Sequence, residues 1–116
     1  MDLGRVSSAA LVASGLMSVI QPQRVADALR IQAIEPRGLT EIRTGLGGTY
    51  VGLGSWALLT GTRGAHGAVG VTWLSAGVTR LASMKVDDPE KDAVFYVSLA
   101  MELLLGLASL DAARRT

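Results

Sequence analysis

The sequence predicts an all-α fold, a four-helix transmembrane bundle with a short interfacial helix between the first two spans. Of its 116 residues, 49% are hydrophobic, and four stretches of 18 to 21 residues are almost free of charge. A hydrocarbon core of about 30 Å requires roughly 20 helical residues. A soluble amphipathic helix carries charges along one face, so a soluble helix bundle is the weaker alternative. The length predicts a single integral membrane domain, residues 1–116.

The first predicted span covers residues 6–23, with its helix over 6–20. Pro22 ends this helix because proline cannot donate the next backbone hydrogen bond. A cleaved signal peptide is the alternative, since Arg5 precedes a run of apolar and small residues. The segment after Ile20 lacks a small-x-small cleavage site, so we predict an uncleaved span.

A short amphipathic helix is predicted over residues 23–34. Val25, Ala28 and Leu29 recur at helical spacing between charged residues, which fits either a helix in the headgroup region or a polar loop helix. Residues 35–38, Glu-Pro-Arg-Gly, predict a break in the chain. Thr40 is then the predicted N-cap of the second spanning helix.

The remaining spans are predicted over residues 44–62, 64–84 and 93–110. A turn over 61–64 joins the second span to the third. The loop over 86–92 contains four acidic residues but lacks the spacing of a calcium-binding loop, so it is predicted to be a solvated turn. His66 is predicted to be a surface residue near the membrane interface.

Charge and composition limit the possible partners. The 11 basic and 10 acidic residues leave a net charge of +1, without the basic surplus that nucleic-acid binding usually requires. With no Cys and one His, no metal site and no cofactor are predicted. The lipid bilayer is the predicted partner, together with another membrane protein or a second copy of the chain. The density of basic residues near both termini favours a cytoplasmic location for them.

Small residues predict how the spans pack. Helices in lipid associate through close backbone approach, because burial of apolar surface gives no gain there. The predicted packing positions are Gly47, Gly48, Gly52, Gly70 and Gly77. The GTYVG segment that includes Gly48 and Gly52 is predicted to pack inside one bundle, and pairing of two protomers through it is the alternative.

Two charges lie within the predicted spans. Arg80 is in the third span and Glu102 near the middle of the fourth. An unpaired charge at such a position costs about 2.5–3.5 kcal/mol on insertion scales. Because helical side chains lean towards their own N-terminus, side chains on antiparallel neighbours converge, and we predict that Arg80 pairs with Glu102. Whether this pair fixes helix register or serves a ligand is left open.

The second span adds two polar residues at a similar depth. Tyr50 is placed to offer its hydroxyl to Glu102, and Arg43 lies on the same helix face. In the simpler interpretation, Tyr50 only fills space and Arg43 extends to the headgroups. The predicted buried polar or ligand site is therefore Arg43, Tyr50, Arg80 and Glu102.

Catalytic motifs are not evident in the sequence. The glycines at 45–48 lack the Lys-Ser/Thr pair of a phosphate loop. The sequence favours an accessory or interaction protein of the membrane without catalytic activity. The alternative is a binder or carrier of a small lipophilic or anionic molecule in the bundle interior, and an enzyme that uses Glu102 as acid and base ranks third.

Three segments also resemble a known family. They are TEIRTGLGGTYVGLGSWALL, SAGVTRLASM and the single Glu within VSLAMELLLG. Together they resemble the small bacterial four-span proteins grouped as domain of unknown function 4345. The resemblance implies an integral membrane bundle and no established activity or ligand. The positions that match its signature are Glu41, Arg43, Gly47, Gly48, Gly77, Arg80 and Glu102.

Overall fold

The computed structural model describes residues 2–116 and confirms the all-α fold class. Over this range the chain forms six α-helices and one π-helical segment, and it contains no strand. The helices are α1 (Leu3–Ile20), α2 (Pro22–Leu29), α3 (Pro36–Glu41), α4 (Thr49–Thr60), α5 (Arg63–Val86) and α6 (Ala93–Arg115), with the π-helical segment Ile42–Gly48 between α3 and α4.

Helix α1 begins at Leu3, after an Asp2 N-cap and three residues before its predicted start, and it ends just before Pro22 as predicted. The Asp2 carboxylate accepts a hydrogen bond of 2.9 Å from the backbone N–H of Arg5. This bond lowers the pKa of Asp2 below its ordinary value. The buried face of α1 is composed almost entirely of small residues: Gly4, Ser7, Ser8, Leu11, Gly15 and Ser18.

Helix α2 is shorter than the predicted helix over 23–34. It ends where Arg30 adopts a left-handed conformation with a φ of 59°. The backbone N–H of Ile31 donates to the Ala26 carbonyl over 2.8 Å, which closes the last turn. This turn redirects the chain towards α3, so residues 31–34 leave the helix.

The predicted break over residues 35–38 is wrong in position. Pro36 occupies the first helical turn, where its missing N–H costs nothing, and helix continues from there to Thr60 through the π-helical segment. Thr40 therefore lies inside α3 and is not an N-cap. The π-helical segment contains three glycines, whose lack of a side chain suits an irregular helical turn close to a neighbouring backbone.

Helices α5 and α6 form a closely packed antiparallel pair. Thr62 caps α5 by accepting from the Ala65 N–H, and Asp92 caps α6 by accepting from the Phe95 N–H. Their backbones approach at Gly70 and Gly106. A Cβ built on Gly106 would lie 2.9 Å from the Leu74 nitrogen and 3.2 Å from the Gly70 oxygen.

The long helices pack side by side, with α1 between α4 and α6, and α5 against α6. The short helix α2 contacts α1, α6 and the π-helical segment. It lies at the same end of the molecule as the loop that joins α5 to α6, because Arg30 forms ion pairs with Glu90 and Asp92 of that region.

Two helices in the described part of the chain are long and apolar enough to cross a membrane, α1 and α6. Only 33% of the apolar window of α1 and 17% of that of α6 is buried. Helix α4 alone has 12 residues, because the π-helical segment interrupts it, and α5 is rich in Gly, Ser and Thr. The predicted second span is therefore not a single α-helix, and the predicted third span is a helix of low apolarity.

The predicted packing glycines divide into two groups. Gly47 lies against Val19 and Gly15 of α1, Gly70 against Leu110, and Gly77 against Leu103. Gly48 and Gly52 are exposed, and a Cβ at Gly52 would meet no atom within 4 Å. The prediction that Gly48 and Gly52 of the GTYVG segment pack within the bundle is therefore wrong. The face turned towards α1 carries Gly47 of the π-helical segment and Gly54 of α4.

Candidate ligand-binding site

Arg80 and Glu102 form a two-pronged ion pair between α5 and α6. The guanidinium donates from Nε to Oε1 over 2.7 Å and from Nη2 to Oε2 over 3.0 Å. The side chain of Glu102 is 10% exposed and that of Arg80 is 25% exposed. Two parallel hydrogen bonds of this kind fix the orientation of both side chains. The Phe95 ring lies beneath the guanidinium, with its centroid 5.3 Å from Cζ.

Gly77 permits this pairing. A Cβ at this position would lie 2.8 Å from the Leu103 side chain and 3.1 Å from the Glu102 Cβ, so the two helices could not approach as closely with a larger residue. Arg80 follows Gly77 by almost one helical turn and therefore lies on the same side of α5. The glycine and the ion pair act together at one level of the α5–α6 interface.

A central cavity of about 550 Å³ lies between α1, α2, α4, α5 and α6. Its walls are mainly apolar and include Leu11, Met17, Val25, Leu29, Trp73 and Met101. Tyr50, Arg80 and Glu102 provide its main polar groups, with Ser14, Ser18, Thr72 and Ser98 beside them. A mostly apolar cavity with a few polar groups is the usual form of a small-molecule site.

Two further cavities adjoin the central one. A cleft of about 700 Å³ runs beside α5 and includes Tyr50, Thr79 and Phe95. A smaller cavity of about 410 Å³ lies between α2 and the start of α6, beside Arg30 and Glu90. Arg80 lines all three, so its guanidinium is the polar group that they share.

The structure places Tyr50 at the predicted site but places Arg43 elsewhere. The structure brings half-buried Tyr50 to the central cavity with Arg80 and Glu102. Over residues 2–116, however, no hydrogen bond joins its hydroxyl to Glu102. Arg43 is not brought to this cluster, because its exposed side chain donates to the Val19 carbonyl in the last turn of α1. That carbonyl lacks an intrahelical partner, which explains why an arginine caps it.

Helix α2 covers one end of the central cavity. Val25, Ala28 and Leu29 line the cavity, although Ala28 and Leu29 are also partly open to the outside, and Gln23, Arg24 and Asp27 are exposed. Arg30 ties this helix to the α5–α6 loop region, with its Nη2 atom 3.1 Å from Asp92 and its Nη1 atom bonded to Glu90. The hydrogen bond with Glu90 raises the pKa of Arg30 above its ordinary value. The acidic loop, predicted to be a solvated turn, thus also contacts the end of α2 through Arg30.

The opposite end of the molecule is closed by small polar residues. The Ser109 hydroxyl lies 2.6 Å from that of Ser7, which donates to the Leu105 carbonyl over 2.8 Å. The indole of Trp73 donates to the Ser7 carbonyl over 3.3 Å. His66 is 7% exposed, so its predicted surface position is wrong. It is buried because the first turns of α5 pack against α1 near Gly4.

Sequence reasoning missed the role of α2 and of Arg30. The spacing of Val25, Ala28 and Leu29 was visible and predicted an apolar helix face, but it did not reveal what that face covers. The link from Arg30 to Glu90 joins positions 60 residues apart, and isolated charges carry no signal of such a contact.

A family model described as Domain of unknown function (DUF4345) matches residues 3–112, nearly the whole chain. The chain belongs to this family. No curated protein and no solved structure matches it. The match confirms the resemblance carried by the second, third and fourth predicted spans. Membership of the DUF4345 family supplies no activity, so the case for function depends on the cavity and the residues that line it.

Proposed function

We propose that this DUF4345 protein is a multi-pass membrane protein that binds a small lipophilic molecule in its central cavity. The observation that carries the proposal is the cavity of about 550 Å³ with apolar walls, at whose polar end Arg80 pairs with Glu102. Binding or carrying such a molecule requires no catalytic group. The site has room for one ligand and polar atoms that orient it.

The distribution of large apolar residues supports membrane integration by four helical crossings. Side chains that face outward include Leu16, Leu59, Val78 and Leu104, between 43% and 86% exposed and one from each long helix. The buried positions are instead mostly Gly, Ala and Ser. This pattern is the reverse of a soluble helical protein and suits a bilayer, where small residues make the helix contacts.

The dimensions fit the same proposal. The longest extent of the molecule is 43 Å, comparable to a bilayer of about 40–45 Å that includes the headgroups. The continuous helix from Pro36 to Thr60 and α5 complete the set of crossings. Within this arrangement both termini lie on one side, and we assign that side to the cytoplasm because Arg5, Arg114 and Arg115 are concentrated there.

Native mass spectrometry of the protein purified in mild detergent tests the ligand proposal. We expect the wild type to retain an added mass of lipophilic material. Ala76→Phe should reduce the amount of this mass, because Ala76 lines the central cavity and a phenyl ring there would occupy part of its volume. The matched control is Val78→Phe on the same helix, where the side chain is 59% exposed and the added mass should remain. Retention of the same amount by Ala76→Phe would contradict the proposal.

A second candidate function is association with another membrane protein or with a second copy of the chain. It is favoured by the exposed face of Gly45, Gly48 and Gly52, beside which Trp56 is 45% exposed. Small residues at such spacing permit close approach of a second helix. Gly48→Ile should then reduce the size of the detergent-solubilised particle while the monomer keeps its melting temperature. An unchanged particle size would exclude this face as the contact.

A further inference from the structure

We propose that the ligand of the central cavity is a neutral, hydroxyl-headed lipophile, such as a long-chain alcohol, with its hydroxyl on Arg80 and Glu102 and its chain directed towards Trp73. This inference rests on the proposed function and specifies its ligand class. It follows from the charge of the polar groups, from their unused hydrogen-bonding capacity and from the position of the apolar wall.

Charge balance at the ion pair disfavours a charged head. One guanidinium and one carboxylate face each other there, so the pair is neutral overall. An anionic head that approached Arg80 would also face the Glu102 carboxylate, and a cationic head that approached Glu102 would face Arg80. Each charged head would lose part of its water shell without a net opposite charge to compensate it, which carries a free-energy cost.

Hydrogen-bonding capacity favours a hydroxyl. The guanidinium has five N–H donors and uses one on Nε and one on Nη2 for Glu102, which leaves donors on Nη1 and Nη2 for a ligand oxygen. Each carboxylate oxygen of Glu102 has a second lone pair, which can accept from an O–H group. A hydroxyl both donates and accepts, so it satisfies both members of the pair without breaking it.

The apolar wall sets the direction of the chain. Trp73 lines the central cavity and precedes Arg80 by two helical turns, roughly 10 Å at 1.5 Å per residue. Leu11, which is fully buried, lines the same cavity. A lipophile with its head at Arg80 therefore extends along α5 with its tail close to the Trp73 ring.

Quenching of tryptophan fluorescence by brominated probes tests the inference. The chain has two tryptophans, so Trp56→Phe leaves Trp73 as the reporter and Trp73→Phe leaves Trp56. The probes are 11-bromoundecanol, 11-bromoundecyl sulfate and 11-bromoundecyl trimethylammonium, added to protein in phosphatidylcholine nanodiscs. Trp73 is 7% exposed and Trp56 is 45% exposed, so saturable quenching of Trp73 reports the cavity and unsaturable quenching of Trp56 reports the bilayer.

We expect the alcohol to quench Trp73 with a half-saturation at least about tenfold lower than either charged probe, a difference of roughly 1.4 kcal/mol. Glu102→Gln removes the carboxylate and should reverse the preference in favour of the sulfate. Arg80→Met should reverse it in favour of the ammonium probe. If either variant fails to fold, the preference of the wild-type protein among the three probes decides whether the ligand head is neutral.

The outcomes separate the two proposals. Quenching by a charged probe at equal or lower concentration than the alcohol would overturn the headgroup assignment and leave cavity binding intact. Absence of saturable Trp73 quenching by every probe would overturn both the assignment and the proposed function.

Discussion

The two ends of the molecule use the same helices in opposite ways. At the closed end, near Ser7, Ser109 and His66, small residues bring α1, α5 and α6 into contact, and the Ser7 hydroxyl joins α1 to α6 by hydrogen bonds. At the open end, near Arg80 and Glu102, α5 and α6 stay close at Gly77, but three cavities adjoin the ion pair. The comparison indicates that close helix contact and cavity volume belong to different parts of the same helices, with Trp73 at the boundary.

The largest expected effect comes from enlarging a glycine in the close-packed part of the α5–α6 interface. Gly106→Leu should lower the free energy of unfolding by about 3 kcal/mol or more, because the first added carbon would lie 2.6 Å from the Leu74 side chain and 2.9 Å from its backbone nitrogen. Thermal melting in detergent measures this loss. Gly52→Leu is the control, since a Cβ there meets no atom within 4 Å. Equal losses in the two variants would contradict the packing described for α5 and α6.

The ion pair at the open end should show strong coupling in a double-mutant cycle. Arg80→Leu and Glu102→Gln should each lower the free energy of unfolding by about 2 kcal/mol, less than for a fully buried pair because the Arg80 side chain is 25% exposed. The double change should cost about 1–2 kcal/mol less than the sum of the single changes. Chemical denaturation of the four proteins in detergent gives these values. Additive losses would show that the two residues do not stabilise each other.

The sequence was sufficient to predict the all-α fold class, the two most apolar helices and this ion pair, but not the cavity around it. Long intervals without charged residues indicate apolar helices. The direction of helical side chains brings Arg80 towards Glu102. Three features depend on long-range packing and leave no local pattern. They are the burial of His66, the exposure of Gly48 and the placement of α2 over the cavity.

The hydrogen bonds of the closed end should have a smaller effect. Ser109→Ala removes the 2.6 Å contact with the Ser7 hydroxyl and should lower the free energy of unfolding by about 1 kcal/mol, as expected for one buried hydrogen bond. Ser98→Ala, which changes a serine that lines the cavities at the open end, is the matched control on the same helix. Chemical denaturation should show a larger loss of unfolding free energy for Ser109→Ala than for Ser98→Ala. A larger loss for Ser98→Ala would contradict the comparison of the two ends.

The smallest effect on stability is expected at the link that holds α2. Arg30→Ala should leave the melting temperature unchanged, because its side chain is 56% exposed and surface ion pairs contribute little. Amide hydrogen exchange in residues 22–29 should nevertheless become several-fold faster, since α2 loses its tie to the start of α6. Arg37→Ala, which removes another exposed pair with Glu41, should not change exchange in α2. Unchanged exchange in Arg30→Ala would show that the link does not restrain the helix.

Cysteine accessibility tests the central claim, that the outward apolar faces of all four long helices contact lipid. The chain contains no Cys, so single cysteines report one position each. Leu16→Cys, Leu59→Cys, Val78→Cys and Leu104→Cys place a thiol on each outward face, and Asp88→Cys places one in the exposed loop. In intact membranes a water-soluble maleimide should label Asp88→Cys and leave the other four unlabelled until detergent is added. Labelling of Val78→Cys or Leu59→Cys as fast as Asp88→Cys would contradict the four-crossing account.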